Sequence, residues 1–319
     1  MNILIYMLKR IIYITPVFFL LTIMVFAMIH LLPGDPADIL LSGEGGSGDP
    51  VVREALMKEL GLDKPLPVQY LVWLKRALGG DFGKSVYSEE HVLKLFMQRF
   101  PATLLLAFAA MIVSIAIALP AGIISAVKRN KLPDYASMLF ALFGISLPNF
   151  WFGILLILLF ALWLGWLPSM GYMSPLESIS GSLKYLLLPA AALGFRMAAV
   201  VTRMTRSSML DELGQDYVRT ARAKGLPERT VIFLHTLKNA LIPTVTIVGL
   251  QFGTILGGTV VIEMVFSWPG VGQLLVEAIL TRDYLVVQVC VLLLATFFLL
   301  VNLLIDLVYT LVNPRVALE

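Results

Sequence analysis

Few residues of this chain are placed for covalent or metal chemistry. Its three histidines, His30, His91 and His235, are far apart in the sequence, and neither His-Glu-x-x-His nor Gly-x-Ser-x-Gly occurs. An intramembrane enzyme is therefore disfavoured, and no metal site is expected. The one cysteine, Cys290, lies in an apolar run and excludes an intrachain disulfide framework or a cysteine-based metal cluster. The run Gly79-Gly80-Asp81-Phe82-Gly83-Lys84-Ser85 has the look of a phosphate-binding loop. It has three residues between its outer glycines where that motif needs four, and no buried strand precedes it. It reads as a glycine turn between amphipathic helices.

The polar residues that stand out are those surrounded by apolar sequence. Arg196, Gln251, Asn149, Asn302 and Asp306 all fall inside long apolar runs. A charge at membrane depth costs at least about 2.5–3.5 kcal/mol, so such groups face a cavity or a partner. Arg196, Gln251, Asn302 and Asp306 are pathway candidates on that ground. Arg196 can attract a substrate carboxylate, pair with Asp306, or pair with a second subunit. Gly249, Gly253 and Gly257, at i, i+4 and i+8, put a small-residue stripe on one helix face. Such a stripe lets another helix approach closely, whether from this chain or from a partner.

A third group is basic and should stay in water. Residues 211–238 join two apolar runs. Between Asp216 and Pro243, Arg219, Arg222, Lys224, Arg229 and Lys238 stand against Asp216 and Glu228. From Asp216 the stretch favours helix, breaks at Gly225 and Pro227, and resumes as helix. A basic hairpin between membrane spans suits docking in a partner's groove, although a solvated positive loop would have the same charge.

The elements that hold these residues are membrane spans. Of the 319 residues 59% are hydrophobic and 14% charged, against about a quarter charged in soluble domains. Six apolar runs, at about 11–31, 101–127, 135–162, 186–206, 239–262 and 285–308, are each long enough to cross about 30 Å of hydrocarbon. The first is too long for a signal-peptide core and lacks a small-x-small cleavage site, so it reads as a retained span. The third should leave the membrane at Gly165–Pro168, with Trp163 and Trp166 at the interface. Placing the N-terminus in the cytoplasm puts Lys9, Arg10, Lys128, Arg129, Lys131, Arg203, Arg206, the hairpin cations and Arg315 inside. The two shorter outside loops, about 163–185 and 263–284, then hold only Lys184 and Arg282.

The expected fold is an all-α membrane protein of six spans with both termini cytoplasmic. Its parts are residues 1–31, with the first span, an external segment 32–100, and a core 101–319. Within 32–100 the sequence suggests a turn at Leu32–Pro36 and a flexible link at Gly43–Pro50. Helices follow at Val51–Leu60, capped by Gly61, at Pro67–Leu78 and at Val86–Arg99. The segment is too small for a large core and should lie against the spans.

Several of these stretches together resemble one family. Tyr217-Val218-Arg219-Thr220-Ala221-Arg222-Ala223-Lys224-Gly225 is similar to the coupling-loop motif of ABC importer permeases, in the form typical of the dipeptide, oligopeptide and nickel family. The likeness continues through Lys238–Pro243, Gly249–Gly253, Phe266–Gly272, Arg282–Tyr284 and Asn313-Pro314. Near the start it takes in Leu31–Pro36, Leu60–Asp63 and Gly80–Gly83. It covers essentially the whole chain, and the long first outside loop resembles the first of the two permeases such systems carry. Arg219-Thr220-Ala221 stands where other subfamilies have Glu-Ala-Ala, which is usual for this one. Arg196 matches no family position.

The resemblance implies a type I ABC importer permease of the bacterial cytoplasmic (inner) membrane. It would form half of a pathway for di- or oligopeptides and have no catalytic residues of its own. The implied partners are a second, homologous permease, two cytoplasmic ATPases that bind ATP and Mg, an extracytoplasmic substrate-binding protein, the peptide, and membrane lipid. No nucleic acid is implied. Tyr217, Arg219, Thr220, Ala221, Arg222, Ala223, Lys224 and Gly225 would contact the ATPase. The alternatives are a nickel or glutathione importer of the same build and, less well matched to the hairpin, a stand-alone secondary transporter.

Overall fold

The computed structural model describes residues 3–31 and 64–312. The expected turn, link, helix and cap between Leu32 and Gly61, and the closing Asn313-Pro314, lie outside them. The described residues are helical apart from loops and one isolated bridge. Helices are numbered α1 (Ile3–His30), α2 (Leu66–Leu78), α3 (Val92–Val127), α4 (Leu132–Ser146) and α5 (Asn149–Leu156, continued by a π-helical Ile157–Trp163). They go on as α6 (Ile179–Leu213), α7 (Asp216–Ala223), α8 (Leu237–Phe266), α9 (Val271–Thr281) and α10 (Tyr284–Val312).

Among the described residues, five helical stretches are long and apolar enough to cross a membrane: Ile12–His30, Val92–Val127, Ile179–Leu213, Glu228–Ile255 and Tyr284–Leu307. The expected single span at 135–162 is not one helix. Leu132–Ser146 and Asn149–Trp163 meet at 109°. Pro148 cannot continue α4, and it forces Leu147 into an extended conformation (φ −86°, ψ 134°). Phe195 of α6 fills the inside of the bend, its ring 4.9 Å from Phe140 and 4.2 Å from Phe152, centre to centre. Trp163 and Trp166 at the far end are exposed, 83% and 66%, and Gly165 turns the chain there at φ +64°.

Two other expectations change. Val86–Arg99 and the second span are not separate helices: α3 runs unbroken from Val92 through Pro101. The stretch 263–284 is not a loop. It holds the end of α8 and all of α9, separated by the break at Ser267–Gly270.

The described residues pack as two compact units, one within Leu4–Thr103 and Pro269–Leu300, the other chiefly Leu104–Trp268 with the chain after Val301. The first is built on Val92, Phe96, Val271, Leu274, Val286, Val287 and Cys290. Thr103 Oγ1 accepts the Val271 amide at 2.8 Å, and the Gln288 amide donates to the Val25 carbonyl at 3.0 Å. α2 lies against α1. The Tyr70 and Thr22 hydroxyls share a hydrogen bond of 2.8 Å, and His30 Nε2 meets Gln69 Oε1 at 2.9 Å. The glycine turn forms where the sequence placed it. Asp81 accepts from the Gly83 amide and pairs with Arg76 at 2.9 Å, and Ser85 Oγ donates to the buried Asp283 at 2.6 Å.

The second unit is organised by α6, whose small residues let its neighbours touch backbone. A Cβ on Gly194 would stand 2.6 Å from the Ala110 carbonyl of α3, one on Gly144 of α4 2.6 Å from Ala199, and one on Gly122 of α3 2.6 Å from Thr205. Small residues at these crossings give close van der Waals packing where lipid offers no hydrophobic drive between helices.

Candidate functional site

The hairpin follows from its punctuation. α6 ends at Gly214, and Gln215, extended at ψ 151°, starts α7. Lys224 closes α7, Gly225 takes the left-handed conformation (φ +75°), and Pro227 opens the return turn Glu228–Thr230. The return arm runs through a π-helical turn, Val231–Thr236, into α8. Helix, break at Gly225 and Pro227, and second helix are thus as the sequence suggested.

The hairpin has a core of its own. Val218 and Ala221, at i and i+3, pack on Val231 of the return arm. Ala221 is only 7% exposed, so of the eight candidate residues it points inward and holds the hairpin closed. Tyr217, Arg219, Thr220, Arg222, Ala223, Lys224 and Gly225 are exposed. Polar ties span the two arms. Arg222 binds Glu228 through both carboxylate oxygens, at 2.7 and 3.2 Å. The Tyr217 hydroxyl donates to Glu212 and accepts from Asn239 Nδ2 at 3.1 Å. Burial, and then the bond to Glu212, push the Tyr217 phenol above its ordinary value. Arg219 pairs weakly with Asp216, at 3.4 Å, and its side chain is 75% exposed.

Below the hairpin, Ile232 and Ala240 of the return arm pack with Ala126 and Met209. Nearby is a cluster that sequence reasoning missed. Arg206 of α6 grips Asp134 of α4 through both oxygens, at 2.7 and 2.9 Å. Ser125 Oγ and the Asn130 amide also donate to that carboxylate. Asp134 follows Lys131-Leu132-Pro133, a helix-start pattern. That was the available signal, but the partner lies 72 residues away.

The pathway candidates lie on three helices, Arg196 on α6, Gln251 on α8, and Asn302 and Asp306 on α10. Arg196 sits near the middle of α6 with its side chain exposed, and it makes no ion pair or hydrogen bond among the described residues. The pairing with Asp306 is therefore not formed. Gln251, Asn302 and Asp306 are half-buried, and neither Asn302 nor Asp306 is without a partner. The glycine stripe divides. A Cβ on Gly249 would meet Ile305 of α10 at 2.7 Å, so that end packs within the chain, whereas nothing lies within 4 Å of one on Gly257; Gly253 is buried. His91 is exposed and His235 half-buried, and no metal-holding cluster of His, Cys, Asp or Glu occurs among the described residues.

The comparisons with known proteins agree with this architecture. The profile described as "Binding-protein-dependent transport system inner membrane component" matches residues 118–318, and its N-terminal companion, "Binding-prot-dependent transport system membrane comp, N-term", matches 3–107. The glutathione transport system permease protein GsiC of Escherichia coli K12 is 43% identical over 98% of this chain and 98% of its own length. The di/tripeptide transport system permease protein DppB of Pseudomonas aeruginosa UCBPP-PA14 is 44% identical over 94% of this chain and 95% of its own. Among solved structures, an inward-facing MetNI methionine ABC transporter matches with a TM-score of 0.55 at 20% identity. It covers 69% of this chain and 96% of that one, a likeness of fold. A multi-pass protein of the inner membrane, the chain belongs to the family of binding-protein-dependent transport system inner membrane components.

Proposed function

We propose that this chain is one permease subunit of an ATP-driven importer and forms half of the pathway for short peptides, from dipeptides to tripeptides of the glutathione kind. The observation that carries the reading is the hairpin. Its apolar residues close on themselves, its outward face is polar and cationic, and its return arm continues into α8. A rigid body of that kind passes a push at α7 into a membrane helix without absorbing it. Names of full-length relatives at 43–44% identity support the peptide and glutathione substrates.

In this reading both termini are cytoplasmic. α7 sits on one of two ATPase subunits, which hold ATP and Mg. A second, similar permease completes the pathway, and an extracytoplasmic binding protein delivers the peptide. ATPase closure moves the hairpin and turns the permease halves against each other, which is alternating access by rigid-body rocking. Arg219, Thr220, Ala223 and Lys224 supply the docking face, while Ala221 and the Arg222–Glu228 pair hold its shape. Arg196, exposed at mid-helix, faces the pathway and attracts the peptide carboxylate; Gln251, Asn302 and Asp306 line wetter parts of it.

The test is co-purification and coupling. The tagged chain, extracted from native membranes, should bring ATPase subunits with it, and di- or tripeptides with binding protein should stimulate ATP hydrolysis in the reconstituted complex. Ala223→Trp, on the outward face, should leave the chain in the membrane but separate hydrolysis from uptake. Full coupling in that variant would remove α7 from the docking role, and absence of any ATPase from intact preparations would overturn the importer reading.

A further inference from the structure

α2 is inside-out for a helix in water. The side it turns to α1 carries Gln69, only 7% exposed, and the Tyr70 hydroxyl. The side it turns away carries Val68, Leu71, Lys75 and Leu78, at i, i+3, i+7 and i+10, all exposed. Leu71 and Leu78 are 61% and 72% exposed. Water does not favour such an exposed leucine face, because it forgoes apolar burial, whereas the buried Gln69 is satisfied by its bonds to His30 and the Lys64 carbonyl.

The depth of the contact explains the inversion. Tyr70 reaches Thr22, eight residues before the end of the apolar stretch Ile12–His30, which is about 12 Å along a helix axis. Phe26, between them, packs against both Tyr70 and Trp73, ring centres 5.6 and 5.8 Å apart. α2 is therefore held at the level of the last turns of a membrane span. Its Tyr and Trp lie where amphipathic rings collect at a membrane interface. Leu20, Ile23 and Met24 of α1, close to Thr22 in the sequence, are exposed, and the leucine face of α2 adds to that apolar surface. The charges fit the same occupant: α2 holds Lys75 and Arg76 and no acidic residue.

We infer that α2 is an interfacial helix embedded in the bilayer at the end of α1. Val68, Leu71 and Leu78 enter the acyl region, and Lys75 reaches up to lipid phosphate. The segment between the first two spans thus grips the membrane surface instead of standing free of it.

Fluorescence quenching decides the matter. In a Cys290→Ala background, Leu71→Cys and, separately, Leu78→Cys are labelled with an environment-sensitive dye. Each is reconstituted into phosphatidylethanolamine–phosphatidylglycerol vesicles. Ile23→Cys on α1 serves as the lipid reference and Glu89→Cys, in the turn, as the water reference. Both α2 labels should emit to the blue of the Glu89 label, lose most of their emission to lipids spin-labelled high on the acyl chain, and resist aqueous iodide. Quenching by iodide would place the face in water and overturn the inference. Resistance to both quenchers, with the Ile23 label still lipid-quenched, would mean that protein covers the face and would overturn it equally.

Discussion

Removing the Asp134 carboxylate should unlock the second unit, and the structure gives the size of the effect. Asp134 is 3% exposed at its side chain and Arg206 23%. The pair is bidentate, and the same carboxylate accepts from Ser125 and from the Asn130 amide. Breaking a buried pair by deleting one partner costs roughly 3–5 kcal/mol, because the other charge stays behind without its counterion. Since Arg206 keeps some access to water, the lower end, about 3 kcal/mol, applies to Asp134→Ala. At about 2–4 °C per kcal/mol, that lowers the unfolding midpoint by roughly 6–12 °C. The assay is the fraction of detergent-solubilised protein that stays monodisperse after graded heating. Replacing both partners, as Asp134→Leu with Arg206→Met, should recover much of the loss, because no buried charge is then stranded. A midpoint within about 2 °C of the parent for Asp134→Ala would refute the reasoning, as would a double variant no better than the single one.

Three further outcomes are expected. Gly225 has φ +75° and open space around a would-be Cβ. Gly225→Asn should therefore leave the hairpin intact, whereas Gly225→Val, strained in that region by about 1–2 kcal/mol, should speed proteolysis at 223–228. Gly194→Ala places a methyl 2.6 Å from the Ala110 carbonyl and should cost about 1–3 kcal/mol in the heating assay, while Gly257→Ala should be silent in that assay. The Gly83 amide, and then Arg76, hold the Asp81 carboxyl below its ordinary value. This contribution is complete above the unfolded carboxyl's pKa and is lost as pH falls through the lowered folded value. Hydrogen exchange at residues 79–91 should thus show the turn intact between pH 7 and 5, and Asp81→Asn should loosen it at pH 7.

How much could be read beforehand differs by kind of signal. The hairpin was legible because Gly225 and Pro227 act locally: a positive φ and a missing donor break a helix whatever surrounds it. α2 was legible within one residue for the same reason. Its register against α1 was not, since a leucine stripe reads alike whether it faces a core or lipid. The 109° bend was hidden because proline is ambiguous in spans. Pro16, Pro189 and Pro243 lie inside continuous helices, whereas Pro148, with Phe195 available to fill the angle, makes a corner. α9 is eleven residues long, too short to announce a span, and the loop-like Ser267–Gly270 masked it. The inward turn of Ala221 follows from its i, i+3 spacing to Val218, but a motif read as a unit conceals which members face the partner. Asp134 and Arg206 could be paired only through the fold.

The close crossings on α6 bear on how such a protein can move. Packed helices slide when interleaved side chains re-sort their rotamers, which lets one surface creep over another. At Gly194, Gly144 and Gly122 no such layer exists: main chain, or the first carbon beyond it, rests on its neighbour. Such a joint has no lubricant. Creep along it would lift the helices apart before it shifted them, so α6 and the stretches of α3 and α4 that it touches behave as a single casting. Any relative motion of these helices must be taken up at the edges of that casting and not within it.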